Sequence, residues 1–149
     1  MANKTGIRIV KKDLRELRRI IAMDLAVELG DIVSKEIAED VRSSFGTGKP
    51  GKTHWIKDER FPGGILHTAS AEGEVPNILT SDLAKSIRAV GVSRLTWRVE
   101  DGVPYGLDQE QGTGYPNAGP RPFMARMFEI WRKRKFKRFA GDFLRDAIK

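Results

Sequence analysis

A run of apolar residues spaced four apart constrains the fold of this chain more than any other feature. The run lies between residues 17 and 45, and its members are Leu17, Ile21, Leu25, Leu29, Val33, Ile37, Val41 and Phe45. A spacing of four places these side chains on one slowly rotating stripe of a helix. We expect the helix to start at Asp13, with Glu16 completing a capping box, and to stop at Phe45-Gly46.

The predicted helix is too long for a compact domain of this size. About 33 residues at ~1.5 Å each give ~50 Å, whereas a compact domain of 149 residues is about 40 Å across. Either the helix bends at Gly30-Asp31, where Asp31 could cap a second segment, or it reaches past its own domain to a neighbour. The whole chain, residues 1–149, is expected to be a single domain with an N-terminal arm at residues 1–12.

The rest of the chain alternates between interrupted and periodic segments. Glycine and proline break every pattern in residues 46–80, which predicts a long loop that has room for a short hairpin and binds or orders on a partner. A short helix is expected from Ser81-Asp82 through Leu83 and Ile87. Strands are expected at residues 89–92 and 95–99, with a third short segment at 105–107, and a C-terminal helix from about Pro122. This order of elements predicts an α+β fold.

Composition narrows the class of protein further. The chain has no cysteine, so disulfides, thiolate nucleophiles and cysteine-based zinc sites are excluded. No stretch has the pattern of a signal peptide or the length of a membrane span, which predicts a soluble protein made in the cytoplasm, with no membrane partner. The formal net charge of +7 fits nucleic acid, a negatively charged protein partner, or simple solubility.

Residues 46–53, GTGKPGKT, satisfy the pattern of a phosphate-binding P-loop. That mechanism requires the loop to follow a buried strand and to open a helix, so that backbone N–H groups converge on the phosphates. Here an amphipathic helix precedes the loop, and His54, Trp55 and Pro62 follow it. The pattern is therefore interpreted as a mobile loop, with a P-loop NTPase as a remote alternative.

No catalytic or metal-binding constellation can be assembled from the remaining polar residues. His54 and His67 are thirteen positions apart and lack a third ligand at metal spacing, which is typical of a surface pair without function. Asp108 and Glu110 lie in a loop with no identifiable pocket and are expected to be solvated. We therefore predict no catalytic, cofactor-binding or metal-binding residues and no cofactor.

The C-terminal basic tract is more informative. Its six basic residues would point nearly all the way round a helix, and they are Arg132, Lys133, Arg134, Lys135, Lys137 and Arg138. The apolar stripe also rotates by roughly 100° across the tract. We expect the two halves of this helix to pack on different bodies, and the interface residues are predicted to be Phe123, Trp131, Phe136, Phe139 and Phe143. The basic tract is a candidate contact for DNA or an acidic partner. The alternative is that the tract only makes the protein more soluble.

Two segments carry a resemblance to a known family. Residues 69–87 contain SAEGEVPNILTSDLAKSI, with a small-residue and proline loop, a threonine and a short L-x-x-S-I helix. Residues 104–124, PYGLDQEQGTGYPNAGPRPFM, contain Tyr-Gly, an acid, Gly-Thr and then Arg-Pro-Phe opening the last helix. Together they resemble the tail-completion and neck proteins of lambda-like tailed bacteriophages, the lambda minor tail protein Z superfamily. Ser81, where the family commonly has glycine, and Gln109 and Gln111 depart from the pattern.

The resemblance implies a non-enzymatic virion protein that forms a ring, expected to be hexameric, at the head-tail junction. It implies the head connector or stopper proteins and the tail terminator or tube proteins as partners, and it places the protein in the virion neck. The first rival, favoured by the charge and the basic tract, is a nucleic-acid-binding protein, for which a salt-dependent DNA shift would be the evidence.

Overall fold

The computed structural model describes residues 4–77, 81–113 and 119–147 of the chain, and it describes side chains from Asp13 onward. The fold mixes helices and small antiparallel sheets, as predicted. Its helices are α1 (Lys4–Ser44), α2 (Asp82–Ser86), α3 (Gly106–Gln111), α4 (Met124–Ile130) and α5 (Phe136–Ala147). A π-helical segment, Trp131–Lys135, joins α4 to α5. The strands are β1 (Pro50–Ile56), β2 (Ile65–Ser70), β3 (Arg88–Ser93) and β4 (Thr96–Glu100).

Helix α1 confirms the long helix predicted from the apolar stripe, but the expected start at Asp13 is wrong. The helix already runs from Lys4, so Asp13 lies inside it and caps nothing, and most of the expected N-terminal arm is helical backbone. Residues 1–3 lie outside the described part. At the other end, Gly46 adopts a left-handed φ of 80° and donates its N–H to the Pro76 carbonyl oxygen at 3.0 Å. Glycine tolerates this conformation without a steric cost, which is why the helix ends where predicted.

The helix is not interrupted and recapped at Gly30-Asp31, because α1 is continuous from Lys4 to Ser44 and the Asp31 carboxylate accepts a hydrogen bond from the Lys35 side chain. At ~1.5 Å per residue it is about 60 Å long, so the second expectation, a helix that reaches past its own domain, describes the structure. Gly30 has a different role: the ring of Trp97 on β4 lies where a β-carbon would be. The glycine lets the strand approach the helix closely.

The four strands form two separate hairpins. In the first, β1 pairs with β2 in an antiparallel register that sets Thr53 opposite Thr68 and Trp55 opposite Leu66. This hairpin fills the centre of residues 46–80, where the sequence predicted a loop with room for one. In the second, β3 pairs with β4, close to the predicted strands. The third short segment that was expected to follow the strands at residues 105–107 is not a strand, since Gly106 begins α3.

The core gathers around the C-terminal half of α1. Its buried apolar residues come from α1, from α2 and the segments beside it, from β4 and from the start of the C-terminal helix. They are Val33, Ile37, Ala38, Val41, Phe45, Val75, Leu83, Ile87, Val99, Phe123 and Trp131. The rings of Phe45 and Phe123 are 5.2 Å apart. Arg42 on α1 donates to the carbonyl oxygen of Ile87 at 2.9 and 3.1 Å, which fastens the end of α2 to α1. The sequence also predicts a core in which Leu83, Ile87, Trp97 and Val99 pack against Leu25, Leu29 and Val33. Leu83, Ile87, Val99 and Val33 are buried as predicted, whereas Trp97, Leu25 and Leu29 are only partly buried.

Candidate interaction surfaces

Residues 13–22 of α1 carry large apolar side chains that the described part of the chain leaves about half exposed. Every residue from 13 to 22 is exposed. Leu14, Leu17, Ile20 and Ile21 are each 47–52% exposed, and they are large side chains that gain most from burial. Burial begins further along the helix, where Leu29 packs against the core. The first half of α1 therefore presents an apolar surface beyond the folded body.

The first hairpin presents a second apolar surface. Trp55 and Leu66 are cross-strand partners and share one face of the two-stranded sheet. They are 64% and 65% exposed. Beside them, the hydroxyls of Thr53 and Thr68 are 2.9 Å apart and hydrogen-bond across the strands. An exposed aromatic and leucine side by side on a protruding hairpin is typical of a contact surface.

A π-helical segment in the C-terminal helix brings the two halves of its apolar stripe onto the same side. A regular helix would turn Phe139 by about 80° away from Trp131, eight residues earlier. The π segment Trp131–Lys135 accommodates one extra residue per turn. This returns Phe139 to the side of Trp131, and the two rings meet edge to face with centroids 5.6 Å apart. The prediction that the two halves pack on different bodies is therefore wrong for this pair.

The predicted interface residues divide into two groups. Phe123 and Trp131 are 1% and 4% exposed and belong to the core of the chain itself, so they are unavailable to a partner in this fold. Phe139 and Phe143 are half-buried. Phe136 is 47% exposed and is the member that presents most surface for a contact.

Three of the six residues of the predicted basic contact form ion pairs within the chain. Lys133 pairs with Glu129 at 2.5 Å, Lys135 with Asp40 at 2.6 Å, and Arg138 lies 3.9 Å from Asp142. Arg132, Arg134 and Lys137 are exposed and remain candidates for contact with DNA or an acidic partner.

Asp40 joins the basic tract to α1. Its carboxylate accepts a hydrogen bond from Trp131 Nε1 at 2.6 Å and another from Lys135 Nζ at 2.6 Å. The Lys135 ammonium also lies 5.7 Å from the centre of the Trp131 ring, within range of a cation–π interaction. Lys135 therefore contributes to the attachment of the C-terminal helix as well as to its charge.

Glu110 has a structural role that the sequence did not reveal, and the expectation that it is solvated is wrong. Its carboxylate accepts hydrogen bonds from the backbone N–H groups of Phe123, Met124 and Ala125 at 2.8, 3.1 and 2.9 Å. These are first-turn groups that have no partner inside a helix. Since Glu110 lies thirteen residues before Phe123, it lacks the local spacing of a capping box, and the sequence offers no signal for this role.

The neighbouring contacts join three segments at the start of α4. Arg121 lies just before α4. Its backbone N–H donates to the Gln109 carbonyl oxygen at 2.9 Å, and its side-chain Nε donates to the Ser70 carbonyl oxygen at 3.3 Å. Asp108 accepts from the Thr113 hydroxyl at 2.8 Å. The acid, the Gly-Thr pair and the Arg-Pro-Phe segment of residues 104–124 thus form a single hydrogen-bonded junction.

His54 and His67, thirteen apart in the sequence, are direct cross-strand neighbours in the first hairpin. Burial lowers the pKa of His67, and the nearby His54 and Arg121 lower it further. Within the part of the chain that the structure describes, no group of three or more histidine or acidic side chains could hold a metal ion. His54 is thus one of the groups that disfavour protonation of His67.

The P-loop pattern does not open a helix. Lys52 and Thr53 lie on β1, which pairs with β2, and Gly51 allows the backbone to approach the Ser70 carbonyl oxygen closely. The backbone N–H groups here form hydrogen bonds of a sheet, so they do not converge on a phosphate as in a P-loop.

None of the helices in the described segments is both long and apolar enough to cross a bilayer.

Comparisons of the chain with protein-family models, with curated proteins and with solved structures find no match.

Proposed function

We propose that this chain is a structural subunit of a tailed-bacteriophage virion, which forms a homo-oligomeric ring at the head-tail junction and joins the head connector to the tail. The observation that carries the proposal is the presence of uncovered apolar surface on several separate elements. Large apolar side chains are exposed on residues 13–22 of α1, on the Trp55–Leu66 face of the first hairpin, and at Phe136 on the C-terminal helix. A subunit that meets several neighbours requires such dispersed contact surfaces.

The resemblance of residues 69–87 and 104–124 to neck and tail-completion proteins supplies the place of assembly. In the ring, each subunit contacts two copies of itself through a heterologous interface that closes. The head connector or stopper lies on one side and the tail terminator or tube on the other. Arg132, Arg134 and Lys137 are the basic side chains best placed for DNA in the channel or for an acidic partner.

The proposal is tested with phage particles that lack this protein. We expect filled heads and separate tails, which are joined when the full chain is added back. The variant Leu66→Lys places a charge on the exposed hairpin surface and should fail to restore joining while remaining folded. Glu59→Lys, at another exposed position of the same hairpin, is the matched control and should restore it. Joining that needs no copy of the protein would contradict the proposal.

A nucleic-acid-binding function is the second candidate, favoured by the net charge of +7 and the exposed Arg132, Arg134 and Lys137. A protein that binds through phosphates loses affinity steeply as salt rises. Under this alternative, the triple change of these three residues to glutamine would abolish DNA binding. Under the ring proposal, the same variant still joins heads to tails, because the apolar contacts carry the assembly.

A further inference from the structure

The exposed half of α1 has a heptad pattern. Leu14, Leu17 and Ile21 are spaced three and four apart, as the two apolar positions of a coiled coil are. In the sequence, Ile7 and Val10 occupy the same two positions one heptad earlier. All three described members are about half exposed. A stripe of this period is the pattern that packs against another helix of the same kind, rather than against a flat sheet.

The two flanks of this stripe carry opposite charge. Taking the stripe as the front of the helix, Arg18 lies about 70° to one side and Asp13 about 70° to the other, from the rotation per residue of an α-helix. Arg15 lies further round the basic flank, and Glu16 further round the acidic one. Glu16 and Asp24 are already paired with Arg19 and Arg94 within the chain, at 2.8 and 3.1 Å, so Asp13 and Arg18 carry the argument.

The orientation of a partner helix decides whether these flanks attract or repel. If two identical helices lie parallel and in register, the acidic flank of one meets the basic flank of the other, and Asp13 faces Arg18 of the other copy. If they lie antiparallel, Arg18 faces Arg18 and Asp13 faces Asp13, which is repulsive. The charge pattern therefore fits a second copy of this chain in parallel orientation.

We propose that the first half of α1 is the contact between copies of this chain, and that the helices of neighbouring subunits lie parallel, with Asp13 of one subunit beside Arg18 of the next. This inference deepens the proposed ring function and rests on it. Ile20, which is 47% exposed on the acidic side of the stripe, widens the apolar face beyond a two-helix seam. Each helix can then contact a neighbour on both sides, as a closed ring of parallel helices requires.

The absence of cysteine from the natural sequence makes the orientation directly measurable. Leu14→Cys and Ile21→Cys, each in the otherwise unchanged full chain, should each form a disulfide between copies on mild oxidation, because parallel helices bring a residue next to itself. Ala26→Cys is the control: the residue is exposed but points away from the stripe, and it should not cross-link. Cross-linking only in a mixture of the two stripe variants would indicate antiparallel helices and overturn the proposal.

A charge swap tests the named ion pair. Arg18→Glu and Asp13→Arg should each raise the protein concentration needed for association by about tenfold at low salt, and the combination should restore it. If the full chain assembles and joins heads to tails while neither the cysteines nor the swaps have any effect, this contact is wrong and the ring function stands. If the helices cross-link in parallel but the protein is dispensable for joining, the contact is right and the ring function is wrong.

Discussion

At the scale of single residues, one acid, Glu110, caps the start of α4. The last helix begins in a proline-rich segment, and the side chain of Phe123, which precedes it, carries no capping oxygen. Glu110 supplies the acceptor from α3 and binds three first-turn N–H groups with one carboxylate. Its negative charge also opposes the positive end of the helix dipole.

Glu110→Ala should lower the free energy of unfolding by about 1–2 kcal/mol, because three backbone donors lose their acceptor. Glu110→Gln keeps an acceptor but loses the charge, and it should cost less. The neighbouring Gln111→Ala, at an exposed position, is the control and should change little. Denaturant unfolding of the three variants measures these differences; an equal effect of Gln111→Ala and Glu110→Ala would contradict the capping role.

The partial burial of His67 gives the first hairpin a pH dependence. The folded state holds the pKa of His67 below its ordinary value of 6.5, chiefly through burial. The unfolded chain therefore takes up this proton at a higher pH than the folded chain does. The stability that the folded chain gains by keeping His67 neutral is fully present above pH 6.5, the ordinary pKa of histidine, and is lost as the pH falls below 6.5.

We expect the NMR titration of His67 to have its midpoint below 6.5 and to move upward in the variant His54→Gln, which removes one of the three causes of the shift. In His67→Gln, the decline in unfolding free energy between about pH 7 and about pH 5.5 should be smaller than in the parent chain. An unshifted His67 midpoint would show that the hairpin does not bury the ring.

At the scale of elements, the π segment of the C-terminal helix explains a pattern that a regular helix could not. The sequence showed two apolar stripes offset by about one residue's rotation, which led to the prediction of two separate packing partners. The extra residue of the π turn realigns them, so that Trp131 and Phe139 meet on the side of α1. Phe139 therefore supports the fold itself, and truncation after Lys135 would remove part of the core as well as any assembly contact.

Changing the length of this segment by one residue tests the realignment. Deletion of Arg134, which is exposed, should convert the π turn to a regular helix and keep Phe139 beside Trp131, with little loss of stability. Insertion of one alanine after Arg134 should rotate Phe139 away and cost about 1–3 kcal/mol. Thermal unfolding compares the two. A deletion as destabilising as the insertion would contradict the role of the π turn.

Other elements were predictable to the extent that their signals are local. The four-residue period predicted α1, and Ser81-Asp82 and Pro122 predicted the starts of α2 and α4 to within two residues.

The start of α1 was missed because Asp13 and Glu16 have the spacing of a capping box although they lie inside a continuing helix. Gly30 suggested a bend because the sequence cannot show that Trp97, 67 positions later, needs its space. Glu110 and the cross-strand histidines were missed because their roles depend on long-range contacts.

At the scale of the whole molecule, the chain consists of a folded body and a helix that extends from it. The body contains its own core, including Phe123 and Trp131, which the sequence had suggested for an interface. The extension contains apolar residues with nothing in the described chain to cover them. A lone helix of this kind is marginal in water without packing along its apolar face. Assembly supplies that packing, which is the physical basis for our proposal that the chain works as a ring subunit.

The most direct test of this account is to locate the protein in intact particles. A gold-labelled affinity tag on the full chain, imaged by electron microscopy together with averaging of the neck, would report both position and symmetry. We predict label at the junction of head and tail, on a closed ring in which the α1 helices of neighbouring copies run parallel. Label found inside the head, along the tail shaft, or absent from purified particles would contradict the account.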